Sequence, residues 1–197
     1  RIESDLIGAR EIPAEALYGV QTLRGIENFS ISKFRLSEYP LFIKGLAITK
    51  MAAAMANFEL GLLTVEQKDA IIAACGEIID GKHHDQFPVD MIQGGAGTTT
   101  NMNANEVIAN RALELMGHER GEYQYCSPND HVNCSQSTND AYPTAIHIGM
   151  YFKHLQLLPH LEELIASFRK KGEEFSRIIK MGRTQLEDAV PMTLGQT

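Results

Sequence analysis

Leu158, Leu161, Ile165, Phe168, Gly172, Phe175 and Ile179 follow one another at intervals of 3, 4, 3, 4, 3 and 4 residues. A seam with that mean spacing runs straight along one side of an α-helix and marks a helix packed lengthwise in a bundle or coiled coil. No second seam of this kind occurs in the chain, so its partner helices are expected to come mainly from other subunits. Pro159 sits inside the seam and is expected to kink the helix or cost it one backbone hydrogen bond. The flank made by Arg169, Lys170, Lys171, Glu173 and Glu174 reads as a solvated face.

Just ahead of this helix the chain changes character. Ser127 to Thr144 reads S-P-N-D-H-V-N-C-S-Q-S-T-N-D-A-Y-P-T, a run dense in hydroxyls and amides and free of Gly and Lys. Ser-Thr-Asn-Asp before a helix is a capping sequence, with Pro143 suited to the first turn. The free N–H groups and the positive dipole end of a helix start also suit a carboxylate. The run therefore reads either as a capped structured loop or as an anion site.

A second polar helix entrance lies upstream. Gln93 to Asn105 reads Q-G-G-A-G-T-T-T-N-M-N-A-N. Its glycines allow tight turns or close backbone approach, and Thr98, Thr99 and Thr100 offer hydroxyls. Asn101, Asn103 and Asn105 then begin a helix expected to run to about Met116, before Gly117. The G-K-[ST] of a phosphate-binding P-loop is missing. Two such entrances, both rich in neutral donors, favour a shared anion site. Met181 to Gln196 reads as a third polar loop before an apolar helix start.

Elsewhere the pattern is mostly helical. Residues 1–36 look irregular, with short extended pieces around Arg10–Ile12 and Leu17–Thr22. Helical periodicity sets in from about Ser37 to Leu62, where the Ala/Met-rich run Met51–Ala56 suits close packing. Thr64-Val-Glu-Gln67 is a capping box for a helix that ends near Asp80, with Gly81 just past it. His83-His84-Asp85 could suggest a metal, but adjacent side chains diverge on regular structure, so a solvated turn is the simpler reading.

Across 197 residues the formal net charge is −7 and 44% of residues are hydrophobic, enough for a real core and contrary to a nucleic-acid partner. Three cysteines with no C-x-x-C pair suggest neither a disulfide framework nor a zinc site and fit reduced thiols in the cytoplasm. No signal-peptide pattern or long apolar run stands out, so no membrane partner is expected.

Three blocks are specific in their order: G-A-G-T-T-T-N-M-N-A-N-E at 95–106, the 127–140 stretch, and G-R-T-Q-L-E-D-A-V-P-M-T-L-G-Q at 182–196. The openings I-E-S-D-L-I-G-A-R-E-I-P and Y-G-V-Q-T-L-R-G-I-E-N-F and the segment Gly117–Tyr125 join them. Together they resemble the aspartase/fumarase superfamily over the whole chain. Gln185 after Gly182-Arg183-Thr184, Ser127 where fumarases usually carry His, Asp130-His131 and Gly94-Gly95-Ala96-Gly97 are more similar to the aspartase branch. The implied fold is mainly α: an N-terminal domain of short helices with a few short strands over residues 1–139, then the truncated start of a central helical bundle over 140–197.

The resemblance implies deamination of L-aspartate to fumarate and ammonia through an aci-carboxylate, whose extra oxygen charge calls for several pre-aimed donors. Thr98, Ser137 and Thr138 are implied to bind the carboxylate that becomes the aci form. Asn139, Thr184 and Gln185 are implied to lie near the leaving amine and the other substrate groups. No catalytic base is implied within the chain, because the family's serine loop, G-S-S-x-M-P-x-K-x-N-P, is expected beyond residue 197; the chain alone is accordingly expected to be inactive. No cofactor is implied as required, and activation by a divalent metal such as Mg is compatible. The implied assembly is a homotetramer with active sites shared between subunits. Two alternatives stay open: a fumarate hydratase acting on fumarate and malate, and a non-catalytic helical relative of the lens-crystallin kind.

Overall fold

The computed structural model describes all residues from Arg1 to Thr197, which divide into two compact units, Arg1–Tyr151 and Phe152–Thr197. As the sequence implied, the chain is mainly α with a few short strands. Two antiparallel hairpins pair β1 (Ile2–Asp5) with β2 (Gly8–Glu11) and β3 (Ile179–Thr184) with β4 (Glu187–Thr193). The helices are α1 (Val20–Asn28), α2 (Pro40–Glu59), α3 (Val65–Ile79), α4 (Thr98–Leu115) and α5 (Thr138–Glu174).

In the first unit α2 packs on α3 and α3 on α4. Ile43, Leu46, Ile71, Ile78, Ile108 and Leu113 are buried between them, and Phe87 and Val89 close the core from the loop before α4. Burying that much branched aliphatic surface is the main drive for this fold. The α3 boundaries follow the sequence. Thr64 and Gln67 form the reciprocal capping box, and Gly81, at φ 93°, follows the C-cap Asp80. Mean hydropathy over an 18-residue window of α2 is 1.3, so this helix is a longer apolar run than the sequence suggested. Its buried stripe Ile43, Leu46, Ala47, Lys50, Ala54 and Asn57 turns inward against the other helices, as in a core helix. The Ala/Met-rich run contributes only Ala54 to it; Ala52, Met55 and Ala56 are exposed. Close packing falls instead at Gly45, where an added Cβ would collide with the Ala145 carbonyl, and at Gly149 beside Leu41.

The extended piece expected at Leu17–Thr22 is instead the entry to α1. Its free N–H groups have remote acceptors: Glu106 takes Gly19, Gln21 and Thr22 at 2.8, 2.8 and 3.0 Å, and Glu3 takes Val20 at 3.0 Å. Two carboxylates far away in sequence thus do a local cap's work. Burial pushes the Glu106 carboxyl above its ordinary range, against the pull of those bonds.

Three further expectations change. Helix α5 begins at Thr138, with the Ser137 hydroxyl accepting the Asn139 N–H at 3.2 Å, so Pro143 falls in the second turn. The helix continues through Pro159 but stops at Glu174, leaving Phe175 and Ile179 outside it. There Gly195 donates to the Phe175 carbonyl at 3.0 Å and Leu194 to that of Ile178 at 2.7 Å, diverting the backbone from the helical ladder. Lastly, Met181–Gln196 is largely hairpin rather than loop, turning at Gln185 and Leu186 with φ 49° and 65°. Two successive left-handed residues are what a two-residue hairpin turn matched to the strand twist requires.

Candidate functional site

The first unit brings two of the polar entrances together. Gly97, at φ 87°, turns the chain into α4, and a Cβ there would strike the Tyr142 ring of α5. Gln93 completes the turn: its Oε1 accepts the Thr100 N–H at 2.9 Å and its Nε2 donates to the Thr100 hydroxyl. One turn into α4, Asn101 donates to the Thr138 hydroxyl at 3.3 Å, which ties this entrance to the start of α5. A cavity of about 530 Å³ opens between them, lined by Gln93, Gly95, Gly97, Asn139, Tyr142 and Pro143.

Of the six residues that the sequence implied, four stand at these two helix starts. Thr98 is the exposed first residue of α4; Ser137 caps α5, with Thr138 half-buried and Asn139 exposed behind it. Their arrangement offers hydroxyls, an amide and free backbone N–H groups, all neutral donors suited to a carboxylate. Thr184 and Gln185 lie in the second unit, at the end of β3 and in its tight turn, both exposed.

Beneath the start of α5 lies a group that the sequence reading passed over. Lys50 of α2 is fully buried, and its ammonium donates to Asn101 Oδ1 at 2.8 Å and Asn133 Oδ1 at 2.9 Å. Asn133 Oδ1 also accepts from Asn101 and Asn105 at 3.1 and 3.2 Å, and Asn133 Nδ2 holds the Gln136 carbonyl at 3.1 Å. No carboxylate partners this lysine. Burial brings its pKa down to about 7. The signal was there to be read: Lys50 falls on the apolar stripe of α2, where an unpaired charge needs a reason.

The remaining candidates have structural partners. His131 accepts the Ser127 N–H on Nδ1 at 2.7 Å within the π-helical turn Pro128–Val132, and burial lowers its pKa. His83 and His84 both reach back to α3, to Glu77 at 2.8 Å and the Ile78 carbonyl at 2.9 Å, so the expected solvated turn is a half-buried tie. No three His, Cys, Asp or Glu side chains gather as a metal cluster.

Comparison with known proteins places this geometry. The family model described as Lyase matches residues 8–197. The chain is 61% identical to aspartate ammonia-lyase of Pseudomonas canavaninivorans over 196 residues, all of this chain and 41% of that protein. It is 59% identical to aspartate ammonia-lyase of Escherichia coli K12 over 197 residues, again all of this chain and 41% of the relative. Among solved structures, a fumarate lyase:delta crystallin from Brucella melitensis bound to cobalt superposes with a TM-score of 0.92 at 55% identity, covering 100% of this chain and 43% of that one. A class II fumarase from Schistosoma mansoni gives 0.88 at 40% identity, covering 100% and 41%. The chain thus spans about two-fifths of the length of the curated relatives it matches. By fold, by both donor-lined helix starts and by a match over nearly its whole length, the chain belongs to this lyase family.

Proposed function

We propose that this chain is the N-terminal part of an aspartate ammonia-lyase, which converts L-aspartate to fumarate and ammonia. The observation that carries the reading is the junction of the α4 and α5 starts through the Asn101–Thr138 hydrogen bond, in a chain 61% identical to an aspartate ammonia-lyase.

The chemistry fits the donors. Removing the proton next to one carboxylate spreads negative charge onto its oxygens, and pre-aimed donors lower the barrier most where charge develops. Thr98, Ser137 and Thr138 hold that carboxylate. Asn139, Thr184 and Gln185 lie toward the leaving amine and the other substrate groups. Neutral donors suit this task, because their hydrogen bonds strengthen in the transition state without over-binding the substrate. An ammonium leaving group needs no strong acid. The base belongs to the superfamily's serine loop, which is not among these residues. The reaction requires no cofactor on this reading, and no step passes through a metal. Active sites are shared between subunits of a homotetramer in the cytoplasm; the half-exposed seam of α5 and three free cysteines support those two assignments.

The test is fumarate formation, followed by ultraviolet absorbance in the full-length protein, with aspartate and malate as rival substrates. Turnover of aspartate alone is expected. Preference for malate would make the protein a fumarase and overturn the assignment. Thr138→Ala is expected to lower turnover of a still-folded enzyme about a hundredfold, the loss of about 3 kcal/mol from one well-aimed donor.

A further inference from the structure

Lys50 calls for an explanation beyond packing. A buried charge is ordinarily paired with an opposite charge, because removing it from water is costly. Lys50 is fully buried, and its ammonium donates to two amide oxygens. An ammonium has three N–H donors, and Asn133 Oδ1 is already shared with two other amides. The cluster around it is therefore rich in donors and poor in negative charge. Even so, Asn105 Oδ1 and Gln136 Oε1 are buried with no partner, so simple internal satisfaction does not account for the arrangement.

The place of the cluster supplies the missing partner. One amide separates the ammonium from the Thr138 hydroxyl: Asn101 accepts from Lys50 through Oδ1 and donates to Thr138 through Nδ2. A second amide, Asn133, ties the ammonium to the Gln136 carbonyl, immediately before Ser137. We propose that Lys50 is a positioning residue for the anion site at the α4–α5 junction: a buried cation that orients Thr138 through Asn101, and whose charge the bound carboxylate balances without touching it. This deepens the aspartate ammonia-lyase reading and rests on its placement of a carboxylate at Thr138.

A proton linkage follows from the geometry. Burial holds Lys50 near a pKa of 7. Cys75 of α3 is the titratable group near it, and burial pushes that thiol up to about 12, so it carries no charge in this pH range. The facing groups of α4 and of the turn before α5 are the uncharged amides of Asn101, Asn105 and Asn133. An anion arriving at Thr138 favours the charged ammonium and raises its pKa. Carboxylate binding should therefore draw a proton onto Lys50 at slightly alkaline pH. If the pKa rises by about one unit, uptake peaks near half a proton per site at about pH 7.5.

The experiment is calorimetric titration of the full-length protein with succinate, an unreactive dicarboxylate, at about pH 7.5 in buffers of different ionisation enthalpy, which reports protons taken up per site. Uptake by the wild-type protein, lost in Lys50→Met together with at least tenfold weaker binding, is the expected result. Asn101→Asp gives the ammonium an internal counter-ion and should likewise abolish uptake and weaken binding. It therefore decides the matter if Lys50→Met does not fold. Succinate binding by the wild type without proton uptake, or uptake unchanged in the folded variants, overturns the proposal. Failure to bind succinate overturns it too. Aspartate turnover by the same preparation separates the two ideas: turnover without linkage removes the role of Lys50, whereas linkage without turnover removes the reaction and leaves the anion site.

Discussion

The two units of this chain are built on opposite economies. Every buried apolar residue lies in Arg1–Tyr151, from Ile12 to Ala145. In Phe152–Thr197 the only buried residue is Gly182. One helix serves both: α5 buries Ala141, Ala145 and Gly149 in its early turns and nothing thereafter. Leu158, Leu161, Ile165 and Phe168 are 40, 41, 48 and 70% exposed in the single chain. A regular seam of large apolar side chains left open to this extent marks an interaction surface. The first unit therefore has an apolar core of its own, whereas the second leaves its apolar seam uncovered within the single chain.

The most severe way to break that comparison is to charge the seam. Leu161→Asp with Phe168→Asp, placed in the full-length protein, is expected to abolish assembly and with it activity, while the first unit keeps its fold. Sedimentation and a thermal melt of the same sample check both halves of the claim. An intact oligomer would show that the seam faces water in the assembled protein.

The converse change belongs in the core of the first unit. Ile71 is fully buried between α2 and α4, and Ile71→Ala is expected to cost about 2–5 kcal/mol in chemical denaturation by removing contacts and leaving a cavity. No truncation in the isolated second unit should approach that figure. An equal loss there would erase the distinction drawn between the units.

A third test uses acid. Glu77 lies 2.6 Å from Arg111 and 2.8 Å from His83, and the hydrogen bond from Arg111 holds its carboxyl down at about 2. An acid whose folded value lies below its unfolded value of about 4.5 stabilises the fold above that value, and loses the contribution as pH falls toward 2. The side chains are 21 and 24% exposed, so solvent screening leaves about 1–2 kcal/mol of this pair. Denaturation between about pH 4.5 and 2 should show the loss in the wild type and a flatter profile in Arg111→Met. Asp90 follows the same sign. Burial would raise it, but the N–H groups of Ile31, Ser32 and Ile92 with the Ser32 hydroxyl bring it down to about 2.

What could be read in advance divides along physical lines. Local signals were legible: the Thr64 capping box, Gly81 and Gly117 at helix ends, and the helical periodicity of α2 to α5 depend on neighbours in sequence. The same holds for the two donor-rich helix starts, since a run of hydroxyls before a helix has few other uses. Remote partners were not legible. Residues 17–22 looked extended because the carboxylates that cap α1, Glu3 and Glu106, lie 17 and 87 residues away from the groups they hold. The 181–196 hairpin was hidden because its turn uses Gln185 and Leu186 where Gly or Asn would have announced it. Lys50 was overlooked for the same reason as residues 17–22. Its place on the apolar stripe of α2 was visible, but its amide partners lie 51 and 83 residues on.

The finest test is the same motif met twice. Thr64 and Gln67 close a capping box at 3.1 and 3.2 Å, and Thr193 and Gln196 close another at 2.8 and 3.2 Å. The local chemistry is equivalent: a hydroxyl takes the N3 N–H and an amide oxygen takes the N-cap N–H. Their contexts differ. The first box starts α3, whose Ile71, Ala74 and Ile78 are packed into the core, so loss of the cap loosens a helix on which the core depends. Thr64→Ala is expected to cost about 1 kcal/mol in the unfolding of the first unit. The second box starts a three-residue turn, Leu194–Gln196, with no buried residue. Its cap stabilises little that other contacts build upon, and Thr193→Ala should shift unfolding by no more than a few tenths of a kcal/mol, as for an ordinary surface change. The two variants, measured in the same background, separate the worth of a hydrogen-bond motif from the worth of what it is attached to. Equal losses would show that the second turn is packed in the folded assembly as firmly as α3 is in the first unit.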